Sequence, residues 1–376
     1  MFIKKLNLLN FRNYESLQLE NISESRVVLI GDNAQGKSNL IEAIYTLSFG
    51  IPYRAKKETD LILWNQKESG VYAELDTNLS TKELAIVLRK NSPKVLKVDG
   101  VNVKRLSKFV GFLKVVLFSS EDLMLIKGSP SERRTFLDKL LVQVHPHYYH
   151  QLQVYNKLIQ QRNHILKNMR ESNSMDYLML SIWDEQIVEI SVDIYALRLS
   201  LIKEISQIAS DYHDKISNLN EKISIKYVSS LNVIDFDNFD KEKEKKKISA
   251  FLKENFRKEV LRSQSLYGPH RDDIDFYIND KEVKTFASQG QQRTLILSLK
   301  LSEILYIKNN TGETPILLLD DVMAELDKTR QKKLLELVGS ETQTFLTTTH
   351  LDDFSENWLK ESTVLNVSNG KIELYV

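Results

Sequence analysis

The feature that most restricts this chain is an octapeptide near its start, Gly31-Asp32-Asn33-Ala34-Gln35-Gly36-Lys37-Ser38. It fits the pattern G-x-x-x-x-G-K-[ST]. Gly31 and Gly36 let the backbone wrap closely, so that successive N–H groups can point at phosphate oxygens. Lys37 can reach the β- and γ-phosphates as a point charge, and Ser38 can offer a hydroxyl to Mg2+. The helix that follows adds the positive end of its dipole. The flanks agree with this reading. Arg26–Ile30 (RVVLI) is a short buried-strand run, and Asn39–Phe49 has helical spacing. ATP and Mg2+ are the cofactors such a loop predicts.

A second segment supports the first. Ile316–Leu319 is a wholly apolar strand that runs into Asp320 and Asp321. In a P-loop fold the end of such a strand lies beside the phosphate loop. Asp320 would then hold Mg2+, directly or through water, and Asp321 would polarise an attacking water as a general base.

Composition removes other chemistries. The chain has 376 residues and no cysteine, which excludes disulfides, thiolate metal sites and a cysteine nucleophile. No run of about 18 apolar residues occurs, so no membrane helix is expected. The predicted location is the cytoplasm. The 52 basic and 51 acidic residues give a net charge of +1, so nucleic acid would have to be met by a local patch.

Along the chain, residues 1–130 read as an α/β portion, with a meander of strands at Val71–Leu75, Leu84–Leu88 and Val95–Val98. Residues 131–260 have helical spacing and form an expected helical domain, ending in the charge run Lys241–Lys247. Alternation and apolar strands return over 261–376, so the chain is expected to leave an α/β domain and come back.

Ser288-Gln289-Gly290-Gln291-Gln292-Arg293-Thr294 opens a helix between the two phosphate-site elements and resembles the signature of ABC-type ATPases. The resemblance implies that Ser288, Gly290 and Gln291 reach the γ-phosphate of ATP held by a second subunit. Glu325-Leu326-Asp327 resembles the D-loop, with Asp327 as its acid, and His350 after Thr347-Thr348-Thr349 resembles the switch histidine. Within that superfamily the chain resembles the RecF family. The carrying residues are NFRNY (Asn10–Tyr14), GDNAQGKSNLIEAI (Gly31–Ile44), RRTFLD (Arg133–Asp138), YGPHRDD (Tyr267–Asp273) and LLLDDVMAELD (Leu317–Asp327). Ser120 departs from the usual proline, and no glutamine marks the position of a transporter Q-loop.

This resemblance implies an SMC/Rad50-like ATPase head with an antiparallel β subdomain and an inserted helical domain. It further implies weak, DNA-stimulated ATP hydrolysis and an ATP-dependent homodimer that sandwiches two nucleotides. Its DNA would be duplex near single-strand gaps. Its partners would be RecR, with RecO, and through them RecA and SSB-covered strands. Asn39 and Arg12 join the nucleotide set by the same resemblance, and Arg54 matches an arginine loop that couples nucleotide and DNA; the other reading of each arginine is an exposed surface residue. His270-Arg271 with Asp272-Asp273 reads as a local salt-bridged turn that packs the lobes, with a direct functional role as the alternative.

Charge is unevenly spread. Residues 1–133 carry 20 basic and 15 acidic side chains, and residues 261–376 carry 13 and 18, so 20 − 15 = +5 against 13 − 18 = −5. Between Lys82 and Lys114 nine basic residues face only Glu83 and Asp99. Lys90, Lys94, Lys104 and Arg105, with Arg54, Lys56 and Lys57, form the expected DNA patch, several of the meander residues being expected to share an exposed face; an ordinary solvated sheet face is the alternative. Three other classes fit the sequence less well. A transporter ATPase has a shorter interval to its signature. A Rad50- or SMC-type protein carries a long coiled coil. A small-molecule kinase needs no signature.

Overall fold

The computed structural model describes residues 1–23, 25–173, 175–217, 221–352 and 354–375. It opens with strands β1 (Phe2–Phe11), β2 (Tyr14–Leu19) and β3 (Arg26–Ile30), then helix α1 (Lys37–Phe49). Strands β4 (Glu68–Asp76), β5 (Thr81–Arg89), β6 (Val95–Val98), β7 (Val101–Val103) and β8 (Val115–Ser119) follow. Helices α2 (Met124–Lys127), α3 (Pro130–Val144), α4 (Tyr148–Glu171) and α5 (Leu178–Ser217) precede strand β9 (Ile223–Val228) and helix α6 (Lys241–Arg262). The last third holds β10 (Asp273–Ile278), β11 (Lys281–Glu282), α7 (Val283–Phe286), α8 (Gln289–Thr311) and β12 (Ile316–Asp320). It closes with α9 (Lys328–Leu337), β13 (Thr344–Thr348), α10 (Glu356–Lys360), β14 (Ser362–Ser368) and β15 (Lys371–Leu374).

Two compact units result. The first comprises Met1–Leu123, Tyr212–Asn218 and Arg293–Val376; the second comprises Met124–Asp211 and Leu219–Gln292.

The first unit contains two six-stranded sheets. One has the order β15-β14-β3-β13-β12-β8, parallel except for β15. Every residue of β12 and β13 is buried, which suits strands covered on both faces. The register sets Thr348 beside Ile30, Leu319 beside Leu346, and Asp320 beside Ser119. The carboxyl ends of β3, β12 and β13 are therefore level, and that edge is where open α/β sheets hold ligands.

The other sheet, β2-β1-β4-β5-β6-β7, is antiparallel and alternates. Val71, Ala73 and Leu75 of β4 and Leu84, Ile86 and Leu88 of β5 turn inward. Asp99 (φ 49°) and Gly100 (φ 76°) make the left-handed β6–β7 turn. A single core joins the two sheets, with Ile3, Phe11, Leu29, Ile44, Leu318 and Phe345 among its fully buried members.

The second unit spans other limits than the expected helical domain. It starts at Met124 rather than 131 and keeps the chain through Gln292 rather than releasing it at 261. The cause is a three-stranded sheet, β11-β10-β9, in which β9 from the expected helical block pairs with β10 from the expected last portion. β10 pairs antiparallel with β9 from Asp273↔Val228 to Ile278↔Ile223. The charge run forms the first turns of α6, capped by Asp240. It is largely solvated except at Glu244, which is buried and paired with Lys247 at 2.7 Å.

Candidate functional site

The phosphate loop sits between β3 and α1, as its flanks predict. Gly31 (φ 155°) and Gly36 (φ 121°) are needed for space as well as torsion. A Cβ at Gly31 would lie 2.3 Å from the Val367 carbonyl oxygen, and one at Gly36 would lie 2.7 Å from Asn13 Nδ2. Three braces hold the loop. Asn13 Nδ2 donates to the Gln35 carbonyl at 2.8 Å, Tyr14 Oη donates to the Gly36 carbonyl at 3.0 Å, and Gly370 N donates to the Gln35 carbonyl at 3.0 Å. Asn39 Nδ2 donates to Asn13 Oδ1 at 2.8 Å. Asn13 and Tyr14 thus give NFRNY a physical role that its sequence does not reveal.

Lys37 is buried, and its ammonium donates to the carbonyls of Gly31 (2.5 Å) and Asp32 (2.8 Å). Burial lowers its pKa, opposed by the charges of Asp321, Asp32 and Asp320. One cavity is lined by Asn33, Ala34, Gln35, Gly36, Lys37, Ser38 and Asn39 together with Arg54 and Asp321.

Across the loop, Asp320 is buried and Asp321 adopts a left-handed backbone (φ 55°). Thr347 of β13 fixes both. Its hydroxyl donates to Asp320 Oδ1 at 3.1 Å and accepts from the Asp321 N–H at 2.9 Å. Tyr53 donates a short hydrogen bond to Asp320 Oδ2. Neither Tyr53 nor the role of Thr347 is visible in the sequence.

Glu42 is the other omission. It is fully buried on α1 beneath two arginines. Arg12 donates to its Oε2 through Nε at 2.8 Å, with Nη2 also at 2.8 Å. Arg54 Nη2 lies 3.6 Å from the same oxygen and donates to Asn39 Oδ1 at 3.1 Å. Arg12 is half-buried and Arg54 exposed, and both are paired with the buried Glu42 carboxylate of α1.

The remaining assignments fall as follows. Ser288 and Gln291 cap each other at the start of α8, with Gln291 Oε1 accepting from Ser288 N at 2.8 Å and Ser288 Oγ from Gln291 N at 3.2 Å. Ser288 is exposed and Gly290 half-buried. Asp327 caps α9, accepting from Arg330 N at 3.0 Å. His350 is exposed just after β13, its N–H donating to Thr348 Oγ1 at 3.3 Å. At the Q-loop position, Asp122 pairs with Lys300 of α8 at 2.9 Å. Burial disfavours that ammonium, but Asp122 and Glu303 together raise its pKa.

The basic residues do not share one face. The β4–β5 register puts Arg89 on the outer sheet surface with Glu74 and Glu83, and β6 adds Lys97. Lys94 is turned inward to Glu58 and the Gly50 carbonyl. Lys90 lines a separate pocket with Arg12, Asp60 and exposed Trp64. Lys104, Arg105 and Lys108 form an exposed group after β7, and Lys56 and Lys57 are exposed after Arg54.

Gly-Pro-His-Arg-Asp-Asp in the second unit is not the local salt-bridged turn expected. Asp273 pairs with Arg133 of α3, Nε to Oδ1 at 2.6 Å, and Asp272 accepts from Tyr227 (2.8 Å) and from the N–H and hydroxyl of Ser230 (2.7 Å each). His270 Nδ1 bonds Tyr155 Oη at 2.7 Å. Buried Arg198 donates to the Pro269 carbonyl at 2.7 Å and to Asp138 at 2.9 Å. The motif is a polar core that joins α3, α4, α5 and β9.

Comparison with known proteins identifies the family. A family model described as RecF/RecN/SMC N terminal domain matches residues 2–373. The DNA replication and repair protein RecF of Macrococcus caseolyticus is 41% identical over 99% of both chains. That of Halalkalibacterium halodurans is 40% identical, again over 99% of both. A solved structure of the recombination mediator protein RecF-ATPrS in the RecFOR pathway superposes with a TM-score of 0.91 at 32% identity, covering 100% of this chain and 98% of that one. An Smc head bound to the C-winged helix domain of ScpA (TM-score 0.57, 15% identity, 100% and 97% coverage) shares the fold. With an SMC-type ATPase head, a braced phosphate loop and full-length relatives, the chain belongs to the RecF family.

Proposed function

We propose that this protein is an ATP-dependent DNA-binding recombination mediator. It binds ATP at the phosphate loop, dimerises so that Ser288, Gly290 and Gln291 of each copy meet the nucleotide of the other, and engages duplex DNA beside single-strand gaps. With RecR and RecO it helps RecA onto SSB-covered strands in the cytoplasm, during replication and the repair of DNA damage. The observation that carries this reading is the cavity bounded by the loop, Lys37, Arg54 and Asp321. Two RecF structures, described as RecF-ATPrS and RecF-ATP, share this fold at 32% identity.

The donor set fits Mg2+. Among the described residues no group of three or more acids or histidines forms a cage. A hydroxyl (Ser38), one carboxylate (Asp320) and phosphate oxygens are what Mg2+ ordinarily uses. When bound, the cation would neutralise charge on the β- and γ-phosphates. Lys37 would add its charge to the same phosphates, and Arg54 and Asn39 line the same cavity. Asp321, held by Thr347, accepts the proton of the attacking water. His350 and Asp327 complete the site on ATP-driven closure. Hydrolysis serves as a conformational timer and is weak until DNA binds.

Sedimentation with and without ATP and a gapped duplex tests nucleotide, dimer and DNA together. ATP should convert monomer to dimer, and Ser288→Arg should retain ATP binding yet stay monomeric. A Ser288→Arg protein that dimerises normally with ATP would refute the sandwich.

A further inference from the structure

Asp320 is held from two sides. Thr347 donates to Oδ1, and the Tyr53 hydroxyl donates to Oδ2. Arg54 Nη1 lies 3.9 Å from that same Oδ2. Tyr53 and Arg54 are neighbours in the segment that leaves α1 through the left-handed Gly50 cap (φ 70°). The Tyr53 ring meets Tyr45 of α1 edge-on at 5.2 Å, and the Arg54 guanidinium lies 5.1 Å from the Tyr53 centroid. Arg54 in turn reaches Glu42 and Asn39. Through the adjacent Tyr53 and Arg54, residues 51–57 are thus latched both to the carboxylate that ends β12 and to the helix that begins at the phosphate loop. Beyond the latch, Lys56 and Lys57 are exposed.

A phenol O–H and a guanidinium both favour an oxygen that carries negative charge. A divalent cation seeks the same lone pairs and repels both donors. We propose that Tyr53 is a positioning residue: it ties the metal-side carboxylate Asp320 to the Arg54–Lys57 segment, so that divalent cation at Oδ2 and the docked segment compete. The proposal rests on the nucleotide and metal reading given above. Because linkage is reciprocal, anything that holds the segment docked weakens cation binding by the factor with which the cation loosens the segment.

The test uses Mn2+ with ADP and the whole protein, reading free Mn2+ by its electron paramagnetic resonance. Tyr53→Phe keeps the ring against Tyr45 and removes only the donor. It should bind Mn2+ about three- to tenfold more tightly, the range for one net hydrogen bond. In the unmodified protein with ADP, amide exchange over residues 51–57 should quicken when Mn2+ is added. In Tyr53→Phe it should already be quick. The exchange measurement on the unmodified chain does not depend on how the variant folds. If Mn2+ binds with ADP but its affinity is unchanged or weaker in Tyr53→Phe, or if exchange over 51–57 ignores the metal, the coupling is wrong and the nucleotide reading stands. If neither protein binds Mn2+ with ADP, both ideas fail.

Discussion

Glu42 shows how much one side chain can organise. It is an acid on a mostly apolar helix, fully buried, and it collects Arg12 and Arg54, of which Arg54 also lines the cavity at the phosphate loop. Only Glu42 of this cluster is buried, and Arg12 and Arg54 keep a quarter to a third of their side chains exposed, so removing it leaves arginines that water can partly satisfy, at a cost of about 1–3 kcal/mol. Glu42→Ala should therefore lower stability in urea by an amount of that order and weaken ATP binding, as followed by calorimetry. A Glu42→Ala protein as stable as the parent would show that the two arginines find water instead. His270 gives a pH signature. Burial lowers its pKa to about 4, below the unfolded value of about 6.5. The unfolded chain then binds more protons, so stability rises with pH. This contribution is complete above pH 6.5 and is lost as pH falls toward 4. Thermal melting at pH 5 and 7.5 should differ less in His270→Gln than in the parent.

At the scale of elements, α4, α5 and α6 are joined by a buried triad. Arg162 bonds Asp184 at 2.6 Å and Glu259 at 2.7 Å, and all three side chains are almost fully enclosed. Burial works against the Arg162 charge, yet the two acids raise its pKa. Arg162→Met should destabilise the protein by about 3–5 kcal/mol, whereas replacing all three residues with apolar ones should recover most of that loss. Chemical denaturation of the two variants decides it. The elements themselves are unevenly legible in the sequence. β3, α1, β12 and β13 are plain because buried parallel strands and a phosphate loop impose continuous apolar runs and glycines at fixed places. β9 is hidden because its six residues, Ile223–Val228, are brief and stand between long helical patterns. Tyr53 and Glu42 are hidden for a different reason: each acts on a residue far away in sequence, and spacing carries no trace of such pairings. The basic residues between Lys82 and Lys114 can be counted from the sequence but not placed on one face, because antiparallel register sends neighbours to opposite sides.

For the molecule as a whole, that register narrows the expected route of DNA. The outer face of the antiparallel sheet mixes Arg89 and Lys97 with Glu74 and Glu83. The exposed group Lys104, Arg105 and Lys108 and the pair Lys56, Lys57 are better suited to meet phosphates. Lys104→Glu with Arg105→Glu should weaken duplex binding at low salt. It should also flatten the dependence of log K on log salt by about 2, roughly 0.9 for each phosphate no longer neutralised. Fluorescence anisotropy across a salt series measures both. Unchanged affinity and slope would remove this group from the interface.

The brace on the phosphate loop has a consequence for how the protein is made. Gln35 is held by Asn369 N and Gly370 N, more than 330 positions away, and the Val367 carbonyl sits against Gly31. A ribosome delivers the loop more than 330 residues before its support. Until translation has passed residue 370, the nascent chain carries the nucleotide motif without the scaffold that shapes it, so competence for ATP should arise late and abruptly rather than growing with chain length.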